Sequence, residues 1–126
     1  MQHLLLVGAG GAIGAAARYA VNVAALKLYG PSFPWATLGI NVVGSLAMGF
    51  PAAALVARAP DLDGLRLFLL TGVLGGFTTF SAFSLDVVSL VERDATGLAF
   101  AYAAASVVLS IAACVAGLAL ARTMFA

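Results

Sequence analysis

Three sets of side chains in this sequence could act on an ion. Thr37, Asn41 and Ser45 recur at every fourth position, and Tyr102, Ser106 and Ser110 repeat that spacing near the other end. Such spacing gathers each set on one face of a helix. Between them the stretch "GGFTTFSAFSLD", residues 75–86, carries two glycines, hydroxyls at Thr78, Thr79, Ser81 and Ser84, and rings at Phe80 and Phe83. The Asn41 amide and the hydroxyls supply N–H and O–H donors, with no carboxylate in either stripe. Donors without carboxylates suit a small anion. An aromatic ring has a positive edge, so rings turned edge-on can line an anion's route without a charge that would trap it. Taken singly, a serine bonds a neighbouring helix and a phenylalanine packs. Two stripes together with an interrupted third segment point instead to a lined path.

Other chemistries lack their residues. Asp86 is the only acid inside a helical half, while Asp61, Asp63, Glu92 and Asp94 fall in loops or at helix ends. No paired acid, no histidine-supported nucleophile and no cluster with metal-ligand spacing emerges, so catalysis is not expected. His3 stands alone beside the amino terminus. The single cysteine, Cys114, excludes an intrachain disulfide and reads as a small packing residue. The chain has no charge run, and no nucleic-acid partner is expected.

The elements that must position these groups follow from composition. The 126 residues are 63% hydrophobic and 9% charged, with a mean hydropathy of +1.12. Ordinary soluble domains are roughly 45–50% apolar. Stretches from about Leu4 to Leu28, Phe33 to Ala57, Leu67 to Val91 and Leu98 to Ala121 each meet the ~20-residue requirement for crossing a bilayer. The chain therefore reads as an all-α membrane protein, one domain over residues 1–126 with four transmembrane helices. Connections at Tyr29 to Ser32, Arg58 to Arg66 and Glu92 to Gly97 are too short for a soluble domain. A signal-peptide reading of the first span lacks a basic leading segment, and the residues after Arg18 continue the span.

The first span, "HLLLVGAGGAIGAAARYA", imitates a dinucleotide-binding turn through Gly8, Gly10 and Gly14. That fold needs an acid about 20 residues later and further strands. The first acid is Asp61. As a membrane helix, the same span has Gly10 and Gly14 in GxxxG spacing, with Gly11 and Ala15 alongside, a surface for close approach of another backbone. Arg18, one turn on, must face protein or water. It reads either as an electrostatic lure for anions or as a snorkelling, carbonyl-paired side chain.

In the third span Gly75 and Gly76 weaken the helix, and Thr78 and Thr79 can rebond freed backbone groups. The sequence thus predicts a third helix broken mid-membrane, tolerated where protein or a water-filled cavity covers it. With four spans, Arg58, Arg66 and Arg122 share one side and Lys27 and Arg93 the other. Because basic loop residues set orientation, so small a difference is compatible both with one fixed orientation and with insertion both ways. The second alternative permits an antiparallel homodimer about a two-fold axis in the membrane plane.

These residues resemble those of the small dual-topology fluoride channels called Fluc or CrcB. The resemblance covers essentially the whole chain: "GGAIGAAARY" in the first span, "PWATLGINVVGS" entering the second, "GGFTTFSAFSLD" in the third, and the hydroxyl-bearing fourth. It implies an antiparallel homodimer in the cell's inner membrane that passively exports cytoplasmic fluoride through two pores. It further implies that Phe80 and Phe83 are the paired pore rings, with Asn41 as amide donor and Ser110 on the fourth-helix polar track. Ser81, Thr37 and Tyr102 are similar to lesser pore-lining positions. The break resembles a central site where main-chain carbonyls of Gly75 and Thr78 from both subunits hold one structural Na⁺. Departures are modest: Ala82 replaces a threonine common between the rings, Ala36 a glycine, and Asp86 a frequent glutamate.

Two other classes compete. A small dual-topology multidrug-type exporter of cations needs a carboxylate in its first helix, where this chain has Arg18 and no acid. An accessory structural subunit would account for the glycines but not for the donor stripes and ringed break together.

Overall fold

The computed structural model describes residues 1–125. The chain order is α1 (Gln2–Tyr29), α2 (Trp35–Arg58), α3 (Asp63–Arg66), a π-helical stretch (Leu67–Leu74), α4 (Gly75–Phe77), α5 (Phe80–Glu92) and α6 (Thr96–Phe125). Among the described residues, four spans are long and apolar enough to cross a membrane: Gln2–Tyr29, Trp35–Arg58, Asp63–Glu92 and Thr96–Phe125. The spans expected from hydropathy are these four.

Glycines hold the spans together. A Cβ on Gly14 would run into the Val73 carbonyl, one on Gly10 into the backbone of Phe68 and Gly72, and one on Gly76 into the carbonyl of Gly11. The expected GxxxG surface of α1 is thus met by the third span, backbone against backbone. A second seam joins α2 to α6, where Gly49 approaches the Cys114 carbonyl and Gly117 that of Leu46. Cys114 is half-buried on that seam. At one end of the bundle Leu90, Ala99 and Tyr102 form a small apolar cluster, joined by Phe33, Leu38 and Phe83.

The third span is interrupted, but not at the glycine pair. Gly75 and Gly76 are helical, and Gly76 serves the seam with α1. The backbone opens at Thr78 (φ −75°, ψ 157°) and Thr79 (φ −153°, ψ 123°), both extended, and α5 starts afresh at Phe80. Before the break the helix is wide: the Gly75 N–H reaches Leu70, five residues back. Helices of this kind occur mostly as short insertions, frequently at functional sites.

Candidate functional site

The break is built by side chains. Thr79 caps α5, its Oγ1 accepting from the Ala82 N–H at 3.1 Å, the bond expected of an N-cap threonine. Across the bundle, Asn41 on α2 grips the extended residue twice: its Nδ2 donates to the Thr79 carbonyl at 2.8 Å, and its Oδ1 accepts from the Thr79 N–H at 2.8 Å. Thr78 donates its hydroxyl back to the Leu74 carbonyl at 2.9 Å, and its methyl fills the place a Cβ on Gly44 would occupy. The N–H and carbonyl of the extended Thr79 are therefore bonded from within the protein, the cover that irregular structure at membrane depth needs.

Beside the break lies a groove of about 300 Å³ between α2, α5 and α6. Its walls bring together Asn41 and Ser45 from the first stripe, Ser106 and Ser110 from the second, Thr78 and Thr79 from the break, and both Phe80 and Phe83. The rings sit 5.3 Å apart with planes inclined at 47°. One flank is open, and Phe80 is 76% exposed there.

The donors left over define what the groove can hold. An asparagine amide has two N–H donors and one carbonyl oxygen. Thr79 takes the oxygen and one N–H, so one N–H of Asn41 remains. Among the described residues the buried Ser106 and Ser110 hydroxyls have no hydrogen-bond partner, and Ser106 is 5% exposed. Leaving a buried hydroxyl unpaired costs about 1–3 kcal/mol. Two such groups lining one groove, beside an amide N–H and two aromatic rings, form an acid-free lining with hydrogen-bond donors, suited to a small desolvated anion.

The remaining site residues sit differently. Ser81 is exposed just after the break, its hydroxyl 3.3 Å from that of Thr79. Tyr102 is buried, its ring 5.4 Å from Phe83, and it donates its hydroxyl to Asp86 Oδ2 at 3.1 Å. That hydroxyl is committed, and Asp86, the acid away from the ends of its span, is bonded to it. Thr37, buried one turn from Asn41, lines a separate outer cavity of about 300 Å³ with Asn22, Asp86, Ser89 and Arg93. Arg18 is half-exposed and lines neither cavity. Gly75 is exposed and Thr78 half-buried at the end of α4.

Sequence reasoning gave Thr79 too small a part: it is the residue that both caps α5 and receives Asn41. A threonine directly before an apolar helical run is the usual N-cap signal, and here the glycines next to it drew attention away. The pair of hydrogen bonds between Asn41 and Thr79 spans 38 residues and leaves no local trace.

A family model described as "CrcB-like protein, Camphor Resistance (CrcB)" matches residues 5–118. Three similar proteins carry the name fluoride-specific ion channel FluC. That of Agrobacterium fabrum is 54% identical over 125 residues, 99% of this chain and 100% of its own. That of Rhizobium meliloti is 52% identical over 124 residues, 98% and 99% respectively. That of Rhodospirillum centenum is 54% identical over 129 residues, with both chains covered in full.

Proposed function

This chain belongs to the CrcB family, a family of ion channels rather than enzymes, and from that premise we propose that it is a fluoride channel exporting the ion passively down its electrochemical gradient. The observation that carries the reading is the groove with two unpartnered buried hydroxyls, Ser106 and Ser110, facing Phe80 and Phe83. Fluoride is small and strongly hydrated, and a route for it must replace water's hydrogen bonds. Serine hydroxyls, one Asn41 N–H and ring edges supply them without a cation that would hold the ion fast. The ion's path runs from the outer cavity past Thr37 and Tyr102 into the groove, and Ser81 lies beside its far side.

The groove is open on the flank where Phe80 is exposed, and a second copy in inverted orientation would close it. The near-equal division of basic loop residues supports insertion both ways. Two copies related by a two-fold axis then give two equivalent pores, in the cell's inner membrane. In such a pair the Gly75 and Thr78 carbonyls of both copies would hold one structural Na⁺; neutral oxygens are the donors a hard monovalent cation takes. When bound, the ion would neutralise the carbonyl dipoles that converge there. Arg18, away from both cavities, is left the lesser part of raising anion concentration near the membrane surface.

Purified protein in liposomes loaded with fluoride and chloride, monitored with ion-selective electrodes, tests this reading. On adding a potassium ionophore fluoride should leave and chloride stay, and Phe80→Ile or Phe83→Ile should slow the release sharply. Equal loss of chloride would overturn the assignment.

A further inference from the structure

In a continuous helix the carbonyl of residue i is taken by the N–H of residue i+4. At the break two donors are diverted in this way. The Thr79 N–H, the natural partner of the Gly75 carbonyl, goes to Asn41 Oδ1 at 2.8 Å. The Ala82 N–H, the natural partner of the Thr78 carbonyl, goes to Thr79 Oγ1 at 3.1 Å. The Thr78 N–H, the next nearest donor to Gly75, is bonded to Leu74. Two side chains thus strip these two carbonyls, and Gly75 and Thr78 are the residues read above as holding Na⁺.

We propose that Asn41 and Thr79 are positioning residues for that cation: Asn41 frees the Gly75 carbonyl, Thr79 frees the Thr78 carbonyl, and neither side chain touches the ion. The inference rests on the sodium reading given under the proposed function. It changes the part played by Asn41. Half of its amide is a clamp on the backbone, so the ion at the centre and the anion in the groove depend on one side chain. Side-chain competition for main-chain donors ordinarily ends a helix and leaves its carbonyls to water. Here the Thr79 and Ala82 N–H groups are held by side-chain oxygens at 2.8 and 3.1 Å, which leaves those carbonyls available to a cation.

The test is Na⁺ titration of the purified full-length chain in detergent, with N-methylglucamine as the replacement cation and the thermal midpoint of dimer dissociation as readout. The wild-type midpoint should rise with Na⁺. Thr79→Val lets the Ala82 N–H return to the Thr78 carbonyl, and Asn41→Ala lets the Thr79 N–H return to that of Gly75. Each should raise the half-saturating Na⁺ concentration at least tenfold, and Thr79→Ser should restore it. Thr79→Ala and Asn41→Leu repeat the test with different packing demands. Variants that are less stable at every Na⁺ concentration, yet half-saturate where the wild type does, would overturn the inference and leave the sodium reading intact. A wild-type chain indifferent to Na⁺ would remove both.

Discussion

At the scale of single residues, the serines of α6 separate stability from transport. Ser106 and Ser110 hold buried hydroxyls without partners among the described residues. A residue kept for stability would be bonded, and one kept for an ion can wait unbonded for it. Ser110→Ala should therefore leave the protein as stable as before, or raise its stability by up to about 1 kcal/mol, because an unsatisfied buried group is removed. The same change should cut fluoride flux at least severalfold. Thermal unfolding of the purified protein in detergent and electrode-monitored efflux check the two halves of this expectation. A loss of stability would mean that Ser110 has a partner in the assembled protein. The stripe spacing made these serines legible in the sequence. What it could not tell is which hydroxyls are already committed. Tyr102 carries the same spacing, but its hydroxyl belongs to Asp86, a bond set by how α5 lies against α6.

At the scale of elements, the spans are held by glycine seams and interrupted by caps, and the sequence mixes the two signals. Adjacent glycines lower helix propensity by about 1 kcal/mol each relative to alanine, which favours a break at Gly75 and Gly76. The fold uses Gly76 for contact with α1 and opens the chain two residues later, where Thr79 and Asn41 offer the backbone other partners. The π-helical stretch before the break had no recognisable pattern, since its wide bonding follows from how the third span meets α1. The seam makes a contrast to test. Gly14→Val must displace the backbone around Val73 and should cost about 1–3 kcal/mol or prevent assembly. Gly8→Ala meets open space in the same helix and should be neutral or stabilising by up to about 1 kcal/mol. Chemical unfolding of the two variants in detergent compares them directly, and equal effects would mean that the seam does not hold the spans.

At the scale of the whole molecule, four spans and one groove were legible from composition and spacing because a bilayer constrains length and polarity so tightly. The proposed second copy has only balanced loop charge behind it in the sequence. Its orientation has a direct check. Gly97 stands exposed at the start of α6, and a Cβ there meets open space. Gly97→Cys in a Cys114→Ala background should react with a membrane-impermeant maleimide from both faces of sealed vesicles, about half from each. Labelling from one face alone would mean a single orientation.

The central claim is that the groove passes fluoride selectively, by electrodiffusion. Its most direct measurement is the reversal potential of the protein in a planar bilayer, with a tenfold fluoride gradient and equal chloride on both sides. The account predicts a current that reverses near fluoride's equilibrium potential, about 59 mV from zero. Reversal near zero, or no current with the dimer intact, would contradict it.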